Sequence, residues 1–178
     1  MRVIVPMAGL GKRMRPHTLT TPKPLIPVAG KPIVQRLVEY LGEMCEDKIQ
    51  HIAFVVGDFG KETEKNLLKI AEDLGAEGSI HHQEVPLGTA HAILCAQEHL
   101  KEHVIIAFAD TLFYADFKVN EDADGVIWVQ KVENPQQFGV IKVAPEGHIS
   151  EFIEKSPVIV SNLAIIGIYY FRDGENLK

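Results

Sequence analysis

Apolar residues recur along this chain in two alternating rhythms. "RVIVPMA", Arg2 to Ala8, is a short β-branched run that ends at a glycine-rich stretch, as a buried strand does. In "PIVQRLVEYLGEMCE" the apolar positions Ile33, Val34, Leu37, Val38 and Leu41 follow helical spacing, and Pro32 suits a first turn. "HIAFVVGD" reads as the next strand, and "GKETEKNLLKIAEDLG" as a polar-faced helix closed by Gly75. A strand near "SIHHQEV", a helix from Thr89 to Leu100 and the strand "HVIIAFAD" continue the series. The alternation predicts an α/β fold: a Rossmann-like mixed sheet, mostly parallel, with helices on both faces.

After Asp124 the rhythm changes. "GVIWVQKV", "FGVIKVA", "HISEFIE" and "LAIIGIYYF" are strand-like and are separated by "ENPQQ", "PEG" and "KSPVIVSN". This part is expected to be antiparallel and β-rich. No repeat, low-complexity tract or separating linker interrupts the chain, so residues 1–178 read as a single domain with halves at 1–124 and 125–178.

Composition narrows the class. With 178 residues, 46% of them hydrophobic, the chain can bury one sizeable core. Its longest apolar runs are far too short to span a bilayer, and "MRVIV" lacks the apolar core of a signal peptide, so no membrane partner is expected. Cys45 and Cys95 form no metal-spacing motif, and a reduced, cytoplasmic setting is the expectation. The net charge of −6 hides an asymmetry: residues 1–38 carry Arg2, Lys12, Arg13, Arg15, Lys23, Lys31 and Arg36 and no acid. Duplex nucleic acid wants a broad basic face, which an acidic body does not offer. One basic corner suits a small polyanion instead.

Most of that charge lies in "PMAGLGKRMRPHTLTTPKPL", Pro6 to Leu25. A dinucleotide fingerprint fails there, because Met14 stands where a third glycine belongs. A Walker A loop fails too, with Pro6 at its first glycine position and Arg13 after the lysine. What remains is a flexible turn whose backbone amides and cations could cradle phosphate, or a plain strand–helix turn with surface charge. The loop by itself leaves both open.

Downstream motifs add a resemblance. "AGLGKRMRPHTLTTPKPLIPVAGKPIV" is similar to the signature of the sugar nucleotidyltransferase superfamily, and further segments follow in the family's order: "VPLGTAHAI", "FADTLF", "ENPQQFGVI", "FIEKSP" and "SNLAIIGIYYF". Such enzymes join a nucleoside triphosphate to a sugar 1-phosphate, giving a nucleotide sugar and pyrophosphate. The resemblance implies that the first half binds nucleotide and the second, incomplete half binds sugar. It implies a triphosphate cradle of Ala8, Gly9, Gly11, Lys12 and Arg13, with Arg13 on the phosphates and Lys23 neutralising the transferring phosphate. Gln83 matches a glutamine that reads a pyrimidine edge, favouring dTTP or UTP, although an ordinary polar residue at a strand end is the plainer reading. Pro86, Gly88 and Thr89 then lie close to the base. Asp110 is expected at the end of its strand as the ligand of Mg²⁺, an ion suited to carboxylate and phosphate oxygens. Gly139, Glu154, Lys155 and Asn162 resemble sugar-phosphate contacts, with Lys155 as the clamp. The catalytic set implied is therefore Arg13, Lys23, Asp110 and Lys155.

Family members carry a second metal-binding aspartate some tens of residues past "GIYYF", so a C-terminally truncated chain is expected. A non-catalytic binding or regulatory domain of the same fold is the alternative. A nicotinamide-dependent oxidoreductase is disfavoured by the missing glycine and the loop cations. Partners are expected to be small molecules, with self-association left open. His91, Cys95 and His99 share one face of the expected helix and read as a partly buried stripe rather than a zinc site; His81 and His82 point to opposite faces of their strand.

Overall fold

Val3, Ile4 and Val5 are wholly buried in one strand, β1 (Arg2–Pro6). Successive buried residues point to opposite sides of a strand, so β1 needs cover above and below as well as partners on both edges. The computed structural model, which describes residues 1–9, 11 and 14–178, supplies them. Between β1 and the next long strand lie a small hairpin, β2 (Pro27–Val28) with β3 (Lys31–Pro32), and the helix α1 (Ile33–Met44). β1 then pairs in parallel with β4 (His51–Val56) on one edge and with β6 (Val104–Ala107) on the other. Beyond β4 lies β5 (Glu77–His82), also parallel, giving the order β5-β4-β1-β6.

Parallel neighbours require crossovers, and helices provide them: α1 before β4, α2 (Lys61–Asp73) before β5, and α3 (Thr89–Cys95) before β6. Alternate residues of β5 identify the faces. A Cβ at Gly78 would come within 3.0 Å of Ala71 Cβ and Leu68 Cδ2 of α2, so the helix closes on bare backbone there. The next residue, Ser79, points the other way and meets His99, just past α3. Helices therefore cover both faces, as right-handed crossovers require when the chain travels β1 to β4 to β5 and then returns to β6. The α3 face packs Ile4, Ala53, Val55, Val104 and Ile106 against Ala92, Ala96 and Leu100.

The helix expected from Thr89 to Leu100 is shorter. It stops at Cys95, Ala96 leaves helical geometry (φ −109°, ψ 28°), and a 3₁₀ turn spans Gln97–His99. The turn buries Leu100 in the core while bringing His99 over Ser79. Burial among imidazoles drops His99 to about 4, so this ring is neutral at pH 7.

The chain divides into two compact units, Met1–Val126 with Tyr169–Lys178, and Ile127–Ile168. The second unit contains most of β7 (Gly125–Lys131), all of β8 (Gly139–Val143) and β9 (Ile149–Glu154), and the first part of β10 (Leu163–Phe171). β8 and β9 form an antiparallel hairpin from Gly139↔Glu154 to Lys142↔Glu151, with an irregularity after Lys142. Ala164 of β10 opposes Val140. The fold is thus α/β with a mixed, mostly parallel sheet. No helix among the described residues is long and apolar enough to cross a membrane.

β10 leaves the second unit at Ile168 and re-enters the first at Tyr169. Tyr170 is wholly buried; its hydroxyl donates to the Glu121 carbonyl at 2.7 Å and lies 3.1 Å from His103 Nδ1. Burial pushes this phenol up to about 12, keeping it a neutral donor. Arg172 pairs with Asp124, and Gly174 lies so close to the start of β6 that a Cβ there would sit 2.8 Å from Val104 Cγ1. Tyr170→Phe should lower unfolding free energy by about 1–2 kcal/mol, because the Glu121 carbonyl loses its donor inside the fold. Urea denaturation checks this, and an unchanged midpoint and slope would contradict it.

Candidate functional site

In an open α/β sheet, the crevice forms outside the carboxyl ends of the strands where the direction of travel reverses. Here that point lies around β1, and a cleft of about 430 Å³ opens there within the first unit. One wall is the segment leaving β1. Met7 N–H still donates to the Val55 carbonyl at 2.8 Å, so the first residue of the loop is held by the sheet. Ala8 and Gly9 follow on the cleft wall, and a Cβ at Gly9 would meet nothing within 4 Å.

Gly11 is different. Its backbone is left-handed (φ +57°), and an added Cβ would lie 3.0 Å from both Lys23 Cβ and Thr18 Cγ2. Its carbonyl accepts from Thr18 Oγ1 and from Met14 N–H, each at 2.9 Å. Glycine at this position therefore satisfies conformation and space together. Lys12 and Arg13 lie outside the described residues.

The "TPKPL" segment presents the cation. Pro22 precedes a 3₁₀ turn over Lys23–Leu25, Ile26 N–H closes onto the Lys23 carbonyl, and Pro24 is buried. This turn holds Lys23 on the cleft wall, where Nζ meets Asp110 Oδ2 at 3.0 Å. Asp110 is not at the strand end itself. β6 stops at Ala107, and Phe108, Ala109 and Asp110 continue along the cleft. Among the described residues lining the cleft, Asp110 is the one carboxylate. One carboxylate completed by water and substrate phosphate oxygens is a donor set that suits a hard divalent cation, so the side chain fits a metal ligand.

The opposite wall comes from the β5–α3 connection. Gln83 N–H donates to the Val56 carbonyl at 2.8 Å, prolonging the sheet by one bond. Its side-chain Nε2 donates to the Gly88 carbonyl at 3.0 Å and lies 3.1 Å from His91 Nδ1. Gly88 takes φ +105°, out of reach for most residues, as the chain turns into α3. Pro86 and Thr89 line the same cleft. All the nucleotide-side positions expected from sequence and described here thus converge on one cavity. Sequence reasoning missed its apolar surface, Met7, Met14, Ala92 and Phe108; nothing in their spacing separates such residues from ordinary core.

The sugar-side positions belong to the second unit. Gly139 opposes Glu154 across β8 and β9, and a Cβ at 139 would lie 2.8 Å from Glu154 Oε2. Lys155 follows in left-handed backbone (φ +44°), its N–H donates to the Phe138 carbonyl at 3.2 Å, and its Nζ lies 3.3 Å from Glu154 Oε1. These three residues are adjacent at one end of the hairpin. Asn162 sits just before β10, its carbonyl accepting from Val132 N–H at 3.0 Å.

With this geometry in hand, similarity to known proteins is decisive. The nucleotidyl transferase family profile matches residues 2–175. The chain belongs to that family. It is 35% identical to the low-salt glycan biosynthesis nucleotidyltransferase Agl11 of Haloferax volcanii, over 96% of this chain and 49% of the relative. It is 34% identical to the bifunctional protein GlmU of Methanococcus maripaludis, over 97% and 40%. The mannose-1-phosphate guanylyltransferase catalytic subunit beta of Drosophila melanogaster is 35% identical, over 96% and 48%. The chain spans about half the length, or less, of these curated relatives. In fold it resembles a candidate glucose-1-phosphate thymidylyltransferase from Bacillus anthracis, with a TM-score of 0.84 and 24% identity over 99% of this chain and 72% of that one. A UDP-glucose pyrophosphorylase complexed with UDP-glucose gives 0.77 and 25%, over 96% and 75%.

Gly11→Ala should destabilise the fold by about 1–3 kcal/mol, the range for a side chain forced into left-handed backbone. Thermal and urea unfolding measure it; a variant as stable as the parent would show that the loop has no need of glycine at 11.

Proposed function

We propose that this chain carries the substrate-binding machinery of an enzyme that transfers a nucleotidyl group from a nucleoside triphosphate to a sugar 1-phosphate. The observation behind the proposal is the Lys23–Asp110 pair in a cleft walled by the Gly9–Gly11 backbone on one side and Gln83 on the other. In the reaction, an oxygen of the sugar phosphate attacks the α-phosphorus in line. A new phosphorus–oxygen bond forms, the bond to the bridging oxygen breaks, and pyrophosphate leaves. Negative charge spreads over the phosphoryl oxygens, and catalysis consists mainly of positioning and charge stabilisation.

Each residue then has a task. Gly9 and Gly11 admit the triphosphate to the backbone, and Arg13, with Lys12, balances its charge. Lys23 exchanges Asp110 for the transferring phosphate. Asp110 would hold the divalent cation, with Mg²⁺ the ion proposed, and the cation would supply positive charge that offsets the charge of the phosphates. Glu154 accepts hydrogen bonds from sugar hydroxyls, Gly139 leaves room for the ring, Lys155 pairs with the sugar phosphate, and Asn162 adds a polar contact.

Gln83 carries the proposed preference for dTTP or UTP. An amide presents a donor beside an acceptor, complementary to the ring N–H and carbonyl of a pyrimidine edge. Its Nε2 is presently held by the Gly88 carbonyl and His91, contacts that fix the plane of the amide. The curated relatives include a guanylyltransferase, so base choice is a property to be measured here.

A second reading is a binding domain without turnover, favoured by the single carboxylate among the described cleft residues. One assay separates the two: incubate the protein with Mg²⁺, a panel of nucleoside triphosphates and sugar 1-phosphates, and follow pyrophosphate. Release supports transfer, whereas saturable nucleotide binding without release supports the binding domain. In a chain that releases pyrophosphate, Arg13→Ala should lower kcat on the order of 10²–10³-fold, the scale for one lost electrostatic donor. Unchanged turnover in the folded variant would remove Arg13 from the mechanism. Gln83→Ala should weaken UTP or dTTP binding roughly tenfold, the worth of about one hydrogen bond. Tighter binding of GTP than of either pyrimidine nucleotide by the unmodified protein would reject the role given to Gln83.

A further inference from the structure

On the α3 face of the sheet, three imidazoles converge on one hydroxyl. Ser79 Oγ lies 2.8 Å from His51 Nε2, 2.8 Å from His81 Nε2 and 3.3 Å from His99 Nε2. His51 stacks on His99 with ring centroids 4.0 Å apart, and His81 meets His99 edge-on at 5.1 Å. A hydroxyl has one proton and two lone pairs, so all three contacts are satisfied only if two rings donate to it and the third accepts. Next to them stands Glu98, with Oε1 3.4 Å from His99 Nε2 and its side chain 70% exposed. One ligand atom from each of His81, Glu98 and His99 lies within 4.8 Å of the other two.

We propose that His81, Glu98 and His99 form a site for a zinc-class transition-metal ion, with water in the fourth position. Two imidazole nitrogens, one carboxylate oxygen and an open position make a tetrahedral zinc set, with ligand bonds of about 2.0–2.2 Å. The ligand atoms must draw together slightly, which a mostly exposed glutamate permits. Desolvation lowers the pKa of both histidines, that of His99 to about 4, so both offer lone pairs at neutral pH. Coordination would turn the Nε2 atoms of His81 and His99 away from Ser79 and leave the hydroxyl to His51. The flanking charges are mixed: Glu77 Oε2 lies 3.5 Å from His51 Nδ1, and Arg2 also acts on His99. The ion would fasten β5, the outermost strand of the parallel set, to the 3₁₀ turn after α3.

Co²⁺ is the probe. Titrated at pH 7.5 into the whole chain, it should bind at one equivalent with the intense visible absorption of a four-coordinate ion, and equimolar Zn²⁺ should displace it and raise Tm. His81→Asn and Glu98→Gln should each weaken binding at least tenfold, and Asp110→Asn should leave the band unchanged. Glu98 is exposed, so its variant tests the ligand without threatening the core. No saturable band from the folded parent, affinity unaltered in both ligand variants, or loss of the band in Asp110→Asn would each overturn the proposal.

Discussion

Parallel pairing of β1 with β4 on one edge and β6 on the other makes the chain reverse its direction across the sheet. A strand of consecutive β-branched residues tolerates no solvent on either face, so the crossovers must cover it above and below. α3 packs on the face that holds Ile4, Ala53 and Val55, and α2 closes on the opposite face of the sheet at Gly78 of β5. The same reversal splays the connections after β1 and β6 apart at their carboxyl ends, and the cleft is the space between them. The site is therefore a by-product of burying β1.

Within that space the local chemistry is a matched pair. Lys23 and Asp110 come from segments far apart in sequence, each fixed by its own device: a proline-flanked 3₁₀ turn for the lysine and the three residues beyond β6 for the aspartate. Both groups are partly open to water, so their mutual attraction contributes little to stability. Such a pair can be separated at small cost. Gln83 is in a comparable position, its amide resting on Gly88 and His91.

Periodicity and punctuation revealed most of the strands and the first two helices, because β1, β4, β6 and α1 have patterns that only burial explains. The glycine loop and the segments containing Gln83, Asp110 and Glu154 were recognisable through their order along the chain. Three features were not. α3 ends early because Ala96 abandons helical geometry, and alanine is the residue least expected to stop a helix. The cleft's apolar wall is made of residues indistinguishable in pattern from core. The histidine cluster draws one ring each from β4, β5 and the turn after α3, so it exists only once the sheet has folded; linear spacing groups His99 with His91 and Cys95 instead. Arg13 and Lys12 fall outside the described residues and remain assignments from resemblance.

The return of β10 to the first unit affects the order of events during synthesis. Residues 127–168 must leave the ribosome before Tyr170 can reach the Glu121 carbonyl and Gly174 can pack beside Val104. At ~5–20 residues per second that is a wait of a few seconds. Over this interval the first unit has β1, β4, β5 and β6 available but an open flank along β6, and an unpaired strand edge invites association with other nascent chains. Codon usage or chaperone access across the 127–168 stretch would therefore influence the yield of a unit to which those residues do not belong.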